Sequence, residues 1–382
     1  MLHFSDEELA ARRAKLEKAL EHRQLDALLI FAPESHYWLT GYDTFGYCFF
    51  QCLVAGAGDP VLLTRSADLR QAELTSNIAD VRIWQDAQDA APELDLRALL
   101  DERGLRGKRL GIEMNTHGLT ARNWQRLSGA LDGFATLVDA SDLISGLRLV
   151  MSPSEIAYVR RAAELADAAL EEALEVTGPG RGEAEILARL QGSIFEADGD
   201  YPGNPFIIGS GRNALLCRYA SGRRTLDADD QLTLEWAGVY RHYHAAMMQT
   251  VVIGQPRPEH LAMHEAARQA LLASEDALRP GRPMADVFDA HAGTLDGLGL
   301  SRHRLNACGY ALGVRYPPSW MEDQMFYRGA STVMQPGMVF FLHMILMDSD
   351  AGAAMCLGRT SLVTETRPEV LSRTPTDLIV KA

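Results

Sequence analysis

Glu235 stands in LTLEWAG (232–238), an apolar run with the alternation of a strand. An ionised carboxylate is costly there unless it is hydrogen-bonded or held ready for reaction. Residue type leaves two readings: a Glu on the solvated face of an edge strand, or a core-facing nucleophile or general base. His242 and His244 follow two apart, so on a strand they share one face. Without a third ligand they are ordinary polar residues and not a metal site. Further on, NACGYALGVRYPPSWMED (306–323) sets Tyr310 between Gly309 and Gly313, and Pro317-Pro318 forms an extended turn that aims Trp320. His343, inside MQPGMVFFLHMILM (334–347), reads as a satisfied core histidine on a buried strand.

The elements that must hold these residues fall into two groups. Up to residue 150, helical spacing in EELAARRAKLEKALEHRQL and LRALLDERGL alternates with strand-like DALLIFA, DPVLLTR and RLGIEMN. That order predicts a small α/β domain over 1–150. Within it, SHYWLTGYDTFGYCFFQC is dense in aromatics: Trp38, Tyr42, Phe45 and Tyr47 read either as core or as an aromatic wall for a delocalised cation. At MSPSEIAYVRR the register changes, with Ser152 as N-cap, Pro153 at the first helical position and Glu155 in the first turn. Strands gathered to one side of helices then predict an α+β domain over 151–382, with 232–239 and the following strand pairing as a hairpin.

Composition excludes several classes. The 382 residues are 47% hydrophobic and 23% charged, as in globular proteins generally, and carry a net charge of -14, which argues against a nucleic-acid surface. No stretch approaches the ~20 apolar residues of a membrane span. The start reads as a capped amphipathic helix, not a signal peptide, so cytoplasmic residence is expected. Five scattered cysteines, Cys48, Cys52, Cys217, Cys308 and Cys356, suggest reduced and mostly buried thiols.

Taken in order, LTLEWAGVYRHYHAAMMQT, GYALGVRYPPSW, QPGMVFF and LGRTSLVTE resemble the creatinase/Xaa-Pro dipeptidase (M24) family. The joint LRLVMSPSEIAYVRRAAELAD belongs to the same resemblance. It implies a creatinase-type N-terminal α/β domain, a pita-bread catalytic domain and a homodimer in which each N-terminal domain covers the partner's site. The family's peptidases hold two metal ions with Asp, Asp, His, Glu and Glu. Those positions fall here on Glu235, Ala246, Tyr310, His343 and about Gly358, a set too poor in carboxylates for a dinuclear hard-metal site. No metal or other cofactor is therefore expected.

Within the family, YWLTGYD (37–43), GDYP (199–202), SGRNA (210–214), EWAGVYRHYH (235–244) and GYALGVRYPPSW (309–320) resemble the metal-independent ectoine hydrolases. The resemblance implies Glu235 as nucleophile or base; His244 is then the candidate for relaying the proton to the departing nitrogen, and Tyr310 the candidate hydrogen-bond donor to the adduct. A small cyclic amidine is expected against an aromatic wall of Trp38, Tyr42, Phe45, Tyr47 and Trp320, with Arg218 and His343 as further substrate-binding candidates. One departure stands out. Arg218 occupies the position of the family's usual substrate-contacting His, and an arginine clamps a carboxylate where it cannot shuttle a proton.

Overall fold

Ser5 accepts a hydrogen bond from the Glu8 amide and so opens helix α1 (Asp6–Arg23), as the acidic start of the chain predicts. The computed structural model describes residues 2–220 and 222–382, which form two compact units meeting between Arg148 and Leu149. Among the described residues no helix is long and apolar enough to cross a membrane.

The first unit contains strands β1 (Ala27–Ile30), β2 (Cys52–Ala55), β3 (Val61–Arg65), β4 (Asp80–Trp84), β5 (Arg109–Ile112) and β6 (Thr136–Asp139). They form one mixed sheet in the order β4-β3-β2-β1-β5-β6. Helices α2 (Pro33–Thr40), α3 (Leu69–Thr75), α4 (Pro92–Glu102), α5 (Ala121–Leu131) and α6 (Ser141–Arg148) complete it. One core cluster joins Leu29, Phe31, Leu63, Leu96, Leu127 and Phe134. Trp38 and Tyr42 are 2% and 1% exposed, so they are interior packing residues of this unit, which corrects the expectation that their faces meet a solute. Tyr47 is half-buried, and Phe45 is 80% exposed.

The second unit opens with α7 (Pro153–Glu175), whose capping box is complete: Ser152 Oγ accepts from the Glu155 amide while Glu155 Oε2 accepts from the Ser152 amide. Then come α8 (Glu183–Glu196), β7 (Ile207–Ser210), β8 (Asp230–Tyr240), β9 (Tyr243–Ile253), α9 (Pro258–Ala277) and α10 (Ala285–Gly297). Strands β10 (Ala307–Ala311), β11 (Met325–Tyr327), β12 (Val339–Asp348), β13 (Ala353–Leu362), β14 (Glu369–Val370) and β15 (Ile379–Lys381) follow. The main path of the sheet runs β11-β10-β12-β13-β9-β8-β7.

Strand parity decides which face does what. Trp236 donates its Nε1–H to Ala166 O of α7, so the even positions of β8 face the helices. Phe340, Leu342, Met344 and Leu346 of β12 join the core cluster with Met263, Leu271, Phe288 and Leu295 of α9 and α10. Glu235, Phe341 and His343 therefore share the opposite, helix-free face. The β8–β9 hairpin turns on Arg241 and His242, both with positive φ (51° and 65°). His242 consequently leaves the strand and stacks on Tyr316 at 4.3 Å, so it does not share a face with His244 as the two-residue spacing predicts.

Candidate active site

Register draws one row across four strands: Glu235 pairs with Met248, Met248 with Gly358, and Gly358 with His343. On β10, next to β12, Tyr310 pairs with Phe341. In a flat sheet, strands β8 and β10 lie about 19 Å apart, four spacings of roughly 4.8 Å. Yet Tyr310 Oη donates to Glu235 Oε1 at 3.4 Å. The sheet is therefore curled, and its concave face brings the two ends of the row together.

Burial governs the chemistry of this face. It pushes Glu235 up to about 7, against the opposing pull of the Arg218 charge and the Tyr310 hydroxyl. Glu235 is nevertheless half-buried rather than sealed, and among the described residues its carboxylate accepts one long hydrogen bond, which leaves lone pairs unused. Tyr310, 4% exposed, has its phenol pKa raised well above normal by burial and by Glu235, so it stays a neutral donor. Trp320 Nε1 donates to Tyr310 Oη at 2.8 Å and leaves the hydroxyl hydrogen free for Glu235. The chain Trp320–Tyr310–Glu235 is thus directional. Trp320 is 1% exposed and acts as a prop behind Tyr310, a correction to its expected place in a substrate-facing wall.

That prop is seated by the GDYP region. Asn204 Oδ1 accepts from the Trp320 amide at 3.3 Å, and a side chain at Gly203 would lie 2.7 Å from the Ser319–Trp320 backbone. The Gly203 amide donates to His244 Nε2 at 2.9 Å. The His244 proton is then on Nδ1, which has no partner among the described residues. Burial drives His244 down to about 3, so it is neutral. It lies on the face of Glu235 but four residues along the hairpin, about 13 Å away. The structure therefore does not bring His244 to Glu235, and its Nε2 is taken by the Gly203 amide; the expected relay to a departing nitrogen would fall to Nδ1.

His343 also is neutral, with burial pushing it to about 3, and its Nδ1 is unpartnered among the described residues. Its ring lies 5.7 Å from that of Tyr310. Arg218, exposed on the loop after β7, has no hydrogen bond or ion pair among the described residues. Its charge reaches Glu235, Tyr310 and His343. Cys217 beside it is half-buried, and its thiol pKa is raised by burial and by Glu235. The sequence groups Cys217 with reduced, mostly buried thiols; its place beside Arg218 is the signal that sets it apart.

The five positions that hold metal in the family's peptidases do not fit a dinuclear centre here. Glu235 is the sole carboxylate among them, Ala246 and Gly358 offer no side-chain donor, and Tyr310 is committed to Trp320 and Glu235. Among the described residues no group of three His, Cys, Asp or Glu is arranged to hold a metal ion.

Comparison with known proteins follows the same two units. Residues 157–365 match metallopeptidase family M24, and residues 12–150 match the creatinase/prolidase N-terminal domain. The chain is 29% identical to an ectoine hydrolase of Halomonas elongata, over all of this chain and 99% of that protein. It is 20% identical to an Xaa-Pro dipeptidase of Pyrococcus furiosus, over 96% of this chain and 99% of that protein. In three dimensions it is similar to an Xaa-Pro dipeptidase from Bacillus anthracis, with a TM-score of 0.86 and 19% identity over 97% of this chain and 99% of the other.

Proposed function

The chain belongs to metallopeptidase family M24 and carries its creatinase/prolidase N-terminal domain; from that premise we propose that it hydrolyses a C–N bond of a small cyclic amidine, ectoine, without a metal. One observation carries the reading: half-buried Glu235, raised to about 7, keeps lone pairs that no donor among the described residues holds, with no second carboxylate at the positions where the family's peptidases hold metal. The full-length similarity to an ectoine hydrolase supports the substrate.

Ionised Glu235 takes a proton from water as the water oxygen bonds to the amidinium carbon. Glu235 then returns the proton to the departing nitrogen, the ring C–N bond breaks, and the adduct's hydroxyl passes its proton to the freed amine as the acetamide carbonyl forms. The product is an N-acetyl-diaminobutyrate. Direct attack by Glu235 on the same carbon is the covalent form of this reaction. Tyr310 holds ionised Glu235 with its single O–H and turns that hydrogen to the adduct once Glu235 has taken up the proton, while Arg218 meets the substrate carboxylate in two-point fashion. We propose further, on the family resemblance, that it acts as a homodimer in the cytoplasm.

Proton NMR of the purified protein with ectoine and excess chelator tests the reading, with Glu235→Ala as control. Ring opening by the wild type only is the expected result. Turnover that chelator abolishes points instead to the peptidase chemistry of the family. Ligand-induced thermal stabilisation without turnover points to a binding protein, the reading that the locked, neutral His244 favours.

A further inference from the structure

We propose that Glu183 is a positioning residue for Arg218: it staples the two ends of the loop that presents this cation to Glu235. The inference rests on the reading of Arg218 as the substrate clamp, but the staple itself is a matter of geometry. Glu183 opens α8 and is fully buried. Its Oε1 accepts from the amide and the hydroxyl of Ser210, both at 2.6 Å. Its Oε2 accepts from the amides of Arg223 at 2.8 Å and Arg224 at 3.0 Å. Ser210 is the last residue of β7, where the chain leaves the sheet; Arg223 and Arg224 lie on the limb that leads back to β8, which opens at Asp230. One carboxylate thus joins departure to return.

Two further contacts carry that anchorage to Arg218. Arg224 donates to Ser210 Oγ at 2.7 Å and to Asp230 Oδ2 at 2.6 Å, which ties the return limb to the start of β8. Gly211 permits the crossing, since it takes φ of 56° and a Cβ there would lie 2.8 Å from the Arg224 guanidinium. On the far side of the loop the Ile208 amide donates to Tyr219 O at 3.0 Å. Ile207, the neighbour of Ile208, is the strand partner of Glu235. Arg218, the neighbour of Tyr219, is thereby held beside Glu235 although its own guanidinium is anchored to nothing among the described residues. The direction of the cation is set by the backbone, and Glu183 sets the backbone.

Cysteine reactivity reads the staple without any substrate. In full-length protein carrying Glu183→Gln, an amide group meets the Arg223 and Arg224 donors, and the return limb is released. Alkylation by iodoacetamide, followed site by site by mass spectrometry, uses half-buried Cys217 as reporter, exposed Cys48 as reference and buried Cys308 as a monitor of global unfolding. We expect Cys217 to react roughly tenfold faster, the equivalent of about 1.4 kcal/mol of lost tethering, while Cys48 and Cys308 keep their rates. With ectoine, KM should rise while kcat holds, and Glu183→Gln should add nothing to Arg218→Ala. An unchanged Cys217 rate overturns the proposal, and so does a parallel rise at Cys308, which marks a merely structural role. If Glu183→Gln does not fold, Ser210→Ala removes the hydroxyl bonds alone and must show the same pattern in smaller measure. If the wild type leaves ectoine intact, the reading of function fails, yet the thiol rates still decide the staple.

Discussion

Two carboxylates, one in each unit, have been pushed to the same place on the pH scale by the same cause. Burial raises Glu113 of the first unit and Glu235 of the second to about 7. Their surroundings otherwise differ. Glu113, 3% exposed, accepts from the Phe31 amide at 3.1 Å, the Ala32 amide at 2.9 Å and the Ser35 hydroxyl at 2.6 Å. Glu235 accepts one bond among the described residues, at 3.4 Å, and is only half-buried. A raised pKa therefore does not mark a site. Spare acceptor capacity together with access does, because a base needs a lone pair that nothing else holds. Glu113 spends its lone pairs on fixing the start of α2, and Glu235 withholds its own for a reacting proton.

The sharpest way to break this comparison is to neutralise each carboxylate. Glu235→Gln should cost about three orders of magnitude in kcat/KM, within the range for loss of a positioned general base. The same change should stabilise the protein at pH 8. A carboxyl raised from 4.5 to about 7 by folding contributes stability that is complete below 4.5 and lost as pH rises through 7. Removing the charge restores up to roughly 3 kcal/mol at pH 8 and almost nothing at pH 4.5. Thermal melts at the two pH values read the difference. Glu113→Ala should do the reverse: three donors lose their acceptor, stability falls by roughly 2–4 kcal/mol, and kcat stays near wild type. If Glu113→Ala silences the enzyme while its melt is unchanged, the division of labour between the two carboxylates is wrong.

A pH profile sharpens the same contrast at smaller scale. Ionised Glu235 is the active form, so kcat/KM should climb through about pH 7 as its proton leaves. Arg218 opposes the effect of burial, so Arg218→Ala should move that limb to higher pH in addition to raising KM. Glu113 predicts no limb, since its lone pairs are held by the Phe31, Ala32 and Ser35 donors of its own unit. An acid limb that stays put in Arg218→Ala would place the cation too far away to act on Glu235.

Much of the frame was legible in the sequence. The alternation around Glu235 gave the hairpin, and Ser152-Pro153-Ser154-Glu155 gave the cap of α7, because each is a local pattern with a local cause. What escaped depends on contacts distant in the chain. Nothing in GYALGVRYPPSW says that Tyr310 reaches Glu235, since that needs a sheet curled over four strand spacings. His242 was misplaced because its turn takes two positive φ values without glycine, and Trp38 and Tyr42 because aromatic density does not separate core from wall. Glu113 and Glu183 escaped for the opposite reason. Each looks like an ordinary acid near an element boundary until its hydrogen-bond donors, tens of residues away, are in place.

The smallest effects concern the prop behind the base. Tyr310→Phe removes the donor to Glu235 and orphans Trp320 Nε1, so about tenfold in kcat should go, with roughly 1 kcal/mol of stability. Glu235 also loses a bond that holds its pKa down, so the acid limb should shift upward as it does without Arg218. Trp320→Phe keeps the ring volume close but frees Tyr310 Oη to rotate, and a loss of only severalfold is expected. The two changes act along one chain of hydrogen bonds. Combined, they should cost no more than Tyr310→Phe alone, because the indole can act on Glu235 only through the phenol. Independent, multiplying losses in the double variant would mean that Trp320 meets the substrate itself, and would return it to the wall from which its burial removes it.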